Sequence, residues 1–189
     1  MKKIISLFQR NYDGDRLVRN ETVPGAEWVL TGEGVATRKW DGTACLVKEG
    51  RLYKRYDAKK GKPSPADFVP AQPEADPMTG HWPGWVPVGE GPEDKYHREG
   101  WKWICGYYSV GVPDGTYELI GPKIQGNPEK VPEHMLIEHG VIRLDDAPRD
   151  YDALKAWFVD RDIEGVVWHH PDGRMVKIKL KDYGLKRRG

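Results

Sequence analysis

The chain has 189 residues, 38% of them apolar, which suits a single domain with a modest hydrophobic core. Thirty Lys and Arg stand against 29 Asp and Glu, and a net charge of +1 argues against a protein that coats nucleic acid by charge alone. No apolar run is long enough to cross a bilayer, residues 4–8 are too short for a secretory signal, and two cysteines, Cys45 and Cys105, do not make a disulfide framework, so a soluble, reducing, cytoplasmic setting is expected.

In chain order, residues 35–39 read as a strand running into an Asp41-Gly42 turn. Residues 44–48 and 51–55 flank Glu49-Gly50 as a hairpin. The texture changes from Gly61 to Glu93, which holds eight of the 15 prolines. Proline removes a ladder donor, so this stretch is not expected to be a central strand. Yet Phe68, Trp82 and Trp85 are more than a disordered linker carries, which predicts an ordered, irregular excursion packed on the body. Residues 101–108 are rich in aromatics and read as a strand. A short strand at 116–120 follows the turn Pro113-Asp114-Gly115. Asp150 is placed to cap a helix in which Leu154, Trp157 and Phe158 share a face. Residues 163–169 and 175–180 flank Pro171-Asp172-Gly173 as a second hairpin. Strands dominate, which predicts an α+β fold built on antiparallel sheets.

From Gly173 onward seven Lys or Arg accompany one acid, Asp182, so this segment carries +6 and the rest of the chain −5. A basic end on an acidic body suggests a local anion site. A solvated tail accounts equally well for Lys186, Arg187 and Arg188.

Lys39-Trp40-Asp41-Gly42 puts an amine on a tight turn, and three later segments make chemical sense as its partners. An amine is a nucleophile only when neutral, so Lys39 needs burial or cationic neighbours to shed its proton. Asp41 can orient the amine, and Gly42 lets the backbone pass close to a ligand. A hairpin turn with an exposed lysine would show the same letters. Glu118, in Tyr117-Glu118-Leu119-Ile120-Gly121, can accept from ribose hydroxyls or join a metal shell; taken alone, a surface glutamate on an edge strand accounts for it equally well. In Met175–Leu180, alternation sends Val176, Ile178 and Leu180 to one side and Lys177, Lys179 and Lys181 to the other. An amphipathic surface strand gives the same pattern. Glu164, however, lies 13 residues before Lys177 on the other arm of the hairpin, so one carboxylate and two amines can line one cavity floor. That set would serve a metal-bound polyphosphate, the carboxylate holding the cation and the amines neutralising phosphate oxygens.

These four segments, in this order, resemble motifs I, III, IV and V of the covalent nucleotidyltransferases, which comprise the ATP-dependent DNA and RNA ligases and the mRNA capping enzymes. The likeness spans Lys39 to Lys179. Leu52–Asp57, Asp76–Val88 and Gly121–Pro128 are similar to the small RNA ligase 1 family in particular, and the proline-rich excursion, at about 57–104, belongs to that likeness.

The resemblance implies an adenylation domain, with antiparallel sheets and flanking helices around an ATP cleft. It further implies an ATP-dependent RNA ligase using Mg²⁺ or Mn²⁺ that joins 5′-phosphate and 3′-hydroxyl RNA ends, for RNA repair and as a monomer. Lys39 would form lysyl-AMP, with Asp41, Lys177 and Lys179 assisting. Glu164 and Glu118 would serve the metal. Arg38, Trp40, Gly42, Arg55, Glu118, Lys177 and Lys179 would line the nucleotide, with His139 against adenine. About ten residues follow Lys179, too few for the oligonucleotide-binding domain that many DNA ligases and capping enzymes add, which favours a compact RNA end-joiner. A DNA ligase, a guanylyltransferase and an inactive nucleic-acid-binding relative are the alternatives. The spacing of His81, His97 and Cys105 fits no zinc site. Trp101, Trp103, Tyr107 and Tyr108 could stack on bases, but core packing is the expected use.

Overall fold

A computed structural model describes residues 4–59, 61–77 and 79–188. In chain order its elements are β1 (Ile5–Ser6), β2 (Phe8–Arg10), β3 (Val18–Thr22), α1 (Glu27–Leu30) and β4 (Val35–Lys39). Then come β5 (Thr43–Lys48), β6 (Arg51–Lys59), β7 (Val69–Pro70), β8 (His81–Pro87), α2 (Lys95–Tyr107), β9 (Gly115–Ile120) and β10 (Met135–Glu138). The last are α3 (Tyr151–Val159), β11 (Gly165–His169) and β12 (Met175–Lys179). The result is a mixed α+β chain in which all but one of the strand pairings are antiparallel. It divides into two compact units, Asp41–His139 and a composite of Ile4–Trp40 with residues 140–188.

In the composite unit a four-stranded sheet runs β1-β12-β11-β4, with β1 parallel to β12. Alternation works as the sequence requires. Ala36, Val166, Trp168, Val176 and Ile178 turn inward to a core shared with Phe8, Trp28, Leu154 and Phe158. The α3 helix begins where Asp150 accepts from the Ala153 N–H at 2.9 Å, closing one of the donors a helix start leaves open. At the basic end Lys186 and Arg188 are exposed, as a solvated tail would be, while Arg187 is partly buried. Arg187 pairs with Asp162 at 3.0 Å and Arg188 with Asp160 at 2.8 Å.

In the Asp41–His139 unit six strands run β10-β9-β5-β6-β8-β7. The expected Glu49-Gly50 hairpin forms, with both residues at positive φ (51° and 70°), the twist a two-residue turn needs. The proline-rich excursion is more regular than expected. Residues 81–87 form β8, paired with β6 along its whole length. Pro83 is tolerated because its carbonyl accepts from the Ala71 N–H on the side away from β6. A strand residue's N–H and C=O point the same way, so the missing donor also faces outward, where β7 supplies only two residues. The Phe68 ring lies on Gly84, where a Cβ would come within 2.2 Å of it, and meets Trp82 edge-on. These contacts give the excursion its order.

One expectation fails outright. Residues 101–108 are not a strand but the second half of α2 and the residue that follows it. Aromatic density favours strands, but the pattern that packs here has helical spacing: Gly100 and Ile104, four apart, are the buried positions. Gly100 lets the helix sit against the sheet, since a Cβ would meet Leu119 Cδ1 at 2.6 Å. Buried Cys45 and exposed Cys105 are both free thiols.

Replacing Asp150 with Ala should cost about 1 kcal/mol, seen as a lower urea midpoint with unchanged slope, whereas Asp150→Ser should be close to neutral. Equal midpoints for Asp150→Ala and the parent chain would show that the cap is idle.

Candidate active site

In the composite unit β11 lies between β4 and β12. Gly165 stands opposite Lys39 on one side and Lys179 on the other, and Val167 opposite Thr37 and Lys177. Residues in register point to the same side of a sheet, so Thr37, Lys39, Lys177 and Lys179 share the face opposite the core. Glu164, immediately before β11 and 7% exposed, inserts its carboxylate between the outer strands. Oε2 accepts from Lys39 Nζ at 2.5 Å, and Oε1 accepts from Lys179 Nζ. Lys39 Nζ also donates to the Trp40 carbonyl at 3.3 Å. Gly165 keeps the strands close enough for this bridge, because a Cβ would lie 2.2 Å from the Ile178 carbonyl oxygen.

Burial alone would raise the Glu164 carboxyl, but the charges of Lys39 and Lys179 outweigh it and hold the group below the ordinary carboxylate range. Lys177 has no ion pair among the described residues. Burial first, then the positive charges of Lys179 and Lys39, push it down to about 8 from an ordinary 10.5. Three amines against one carboxylate leave a cationic surplus, which is an environment for an anion. For a metal, Glu164 offers one hard oxygen donor, and the described residues contain no group of three His, Cys, Asp or Glu able to hold an ion. Mg²⁺ is commonly held by one or two carboxylates completed by phosphate oxygens and water, so Glu164 fits a cation that arrives with a nucleotide.

A second group of expected residues lies in the Asp41–His139 unit. The Gly42 N–H donates to Glu118 Oε1 at 3.1 Å, and Glu118 Oε2 lies 2.8 Å from His139 Nε2. Since the carboxylate only accepts, His139 carries its proton on Nε2 here, and its buried Nδ1 has no partner. Glu118 is not on an edge strand: β9 runs between β5 and β10, and the residue is 7% exposed. Gly42 is tightly placed, with a Cβ falling 2.1 Å from the Leu119 carbonyl. Arg55, on β6, bonds Asp57 at 3.3 Å, lies over the Trp85 ring, and lines a cavity of about 320 Å³ with Gln72 and His81.

Lys39, Glu164, Lys177 and Lys179 thus form one cluster, and Gly42, Glu118 and His139 another. Arg38 stacks over Trp40 at 4.0 Å. Asp41 falls in the unit that does not contain Lys39, and its N–H donates to Glu129 at 2.9 Å. Two further residues escaped the sequence reading. Glu129 sits just past the Gly121–Pro128 segment. Thr37 is two residues before Lys39, where simple alternation would have found it. It is 3% exposed, donates to the Val167 carbonyl, and lies 3.0 Å from His169 Nε2.

A family model described as RNA ligase 1 matches residues 109–188, which takes in Glu118, His139, Glu164, Lys177 and Lys179 but not Lys39. A Danio rerio protein named RNA ligase 1 is 32% identical over 57% of this chain and 42% of its own length. A Mus musculus protein of the same name is 29% identical over 80% of this chain and 67% of its own. One from Pongo abelii is 31% identical over 66% and 49%. The chain therefore spans between about two fifths and two thirds of the relatives it matches.

Lys177 gives a stability test. Its pKa is lower in the fold than in the unfolded chain, so its charge weakens the fold. That penalty is complete below about pH 8 and disappears as the pH rises to about 10.5, where both states are neutral. Lys177→Met should raise the urea midpoint at pH 7, and the gain should shrink between pH 8 and 10.5. A gain equal at both ends of that window would contradict the assigned burial of the charge.

Proposed function

From the match to the RNA ligase 1 family model over residues 109–188 and the similarity to proteins named RNA ligase 1, we propose that the chain is an ATP-dependent RNA ligase, built as the adenylation domain of a covalent nucleotidyltransferase. The observation that carries this reading is the carboxylate of Glu164 shared by Lys39 and Lys179, with Lys177 beside them unpaired among the described residues. A structural ion pair needs one amine. Three amines around one acid make an anion site with a potential nucleophile in it.

In the proposed reaction the Lys39 ammonium first gives a proton to solvent, and the neutral Nζ then attacks the α-phosphorus of ATP, losing a second proton to solvent as it bonds. An N–P bond forms, the bond to the bridging oxygen breaks, and pyrophosphate leaves with the electron pair. Lys177 and Lys179 bind the α-phosphate oxygens and stabilise the charge that gathers there. Glu164 is the residue for Mg²⁺ or Mn²⁺, which would neutralise the polyphosphate. Glu118 and Arg55 are assigned to the ribose, His139 to the adenine, and Arg38, Trp40 and Gly42 to the nucleotide's surroundings. The AMP then passes from Lys39 to an RNA 5′-phosphate, and a 3′-hydroxyl displaces it to form the phosphodiester. Asp41 is assigned to orienting the Lys39 amine.

With Mg²⁺ and α-labelled ATP, the wild-type protein should keep the label on a denaturing gel. Lys39→Ala should lose it entirely, and Lys177→Ala should lose it while keeping the parent's far-ultraviolet circular dichroism. Label from GTP in preference to ATP would make the chain a capping-type enzyme. No label from either would leave a non-catalytic binding protein. In a second assay, 5′-phosphorylated RNA should be joined faster than nicked DNA; equal or faster DNA sealing would defeat the RNA assignment.

A further inference from the structure

The α2 helix packs inward through Gly100 and Ile104 and leaves an aromatic flank that the proposed chemistry does not use. Tyr96, Trp103 and Tyr107 fall on one side of it, spaced by seven and four residues. Tyr96 stacks on His134 with centroids 4.5 Å apart. Trp103 and Tyr107 are nearly parallel, with planes 9° apart and centroids separated by 6.1 Å. Tyr107 is 75% exposed, an unusual state for a tyrosine that packs on another ring. Beside Trp103 opens a cavity of about 550 Å³, walled by Pro122, Pro132 and His134. Lys102, on its rim, is exposed and has no ion pair among the described residues.

The acidic groups of the rim are Glu99 and Glu133. Glu99 Oε2 accepts from His134 Nδ1 at 2.7 Å, and exposed Lys95 lies 3.9 Å from its other oxygen, which offsets that charge in part. Glu133 remains and repels phosphate, which confines a polyanion's backbone to the Lys102 side. Trp103 is partly buried against the core and presents only part of its ring, while Tyr107 is open to solvent; a ring so presented beside an unpaired cation is the arrangement that holds single-stranded nucleic acid, bases on the rings and phosphates on the amine.

We propose that this flank, Trp103 and Tyr107 with Lys102, is a docking platform for single-stranded RNA. The choice of RNA as occupant rests on the ligase reading; the platform itself is separate from the residues that form lysyl-AMP. Bases stack on Tyr107 and in the Trp103 cavity, and Lys102 takes a phosphate.

The test is fluorescence anisotropy of a short labelled oligoribonucleotide against the full chain. Tyr107→Ala and Trp103→Ala should each weaken binding about five- to hundredfold. Lys102→Ala should flatten the plot of log affinity against log salt by about 0.7. Tyr107→Phe should bind as the parent does, because stacking needs the ring and not the hydroxyl. Labelling by α-labelled ATP involves no RNA and should be unchanged in all of them. RNA affinity unaltered in both alanine variants would overturn the platform. So would equal loss in Tyr107→Phe, which would point to a hydroxyl contact instead. If wild-type protein takes no label from ATP, the ligase reading fails, while the anisotropy series still decides the platform.

Discussion

One carboxylate holding two amines from different strands is the constraint on which the candidate chemistry depends. Glu164 reaches Lys39 and Lys179 across β11, which joins β4 to β12. Buried without them it would be costly, and the amines without it would repel one another. With it, the pair cancels one unit of charge and leaves Lys177 and one further positive charge uncancelled. The residues that position this group are ordinary: a core of alternating Val, Ile and Trp behind it, and a glycine where a side chain would force the strands apart.

Local features were the legible ones. The strand at 35–39, the Glu49-Gly50 turn, the hairpin around Pro171-Asp172-Gly173 and the Asp150 cap each depend on a few adjacent residues, and each appears where expected. What failed depended on distant partners. The alternative of a surface edge strand for Glu118 stays open because the sequence does not show that β10 will cover the other side of β9. The stretch from Trp101 to Tyr108 reads as a strand because its aromatics outweigh the single Gly100–Ile104 step that meets the sheet. The link between Lys39 and Glu164 spans 125 residues, and no spacing rule reaches that far. It was reached through motif order, and motif order does not supply geometry.

The two units treat their acidic groups differently. In the composite unit Glu164 is neutralised by cations, so its charge is answered by charge. In the Asp41–His139 unit Glu118 is held by a backbone N–H and an imidazole, and Glu129 by the Asp41 N–H. Donors of that second kind fix a carboxylate's direction with little added positive charge. A carboxylate held so can present a hydroxyl-binding edge, whereas Glu164 sits in a field suited to phosphate.

The packing of Phe68 on Gly84 has a reach beyond stability. The ring occupies the volume that any side chain at 84 would need, and it leans on Trp82 as well as on the bare backbone. A smaller residue at 68 would not by itself make room at 84, because the Val69 carbonyl oxygen lies 2.5 Å from the same point. Among descendants of this chain, Gly84 should therefore persist even where position 68 changes.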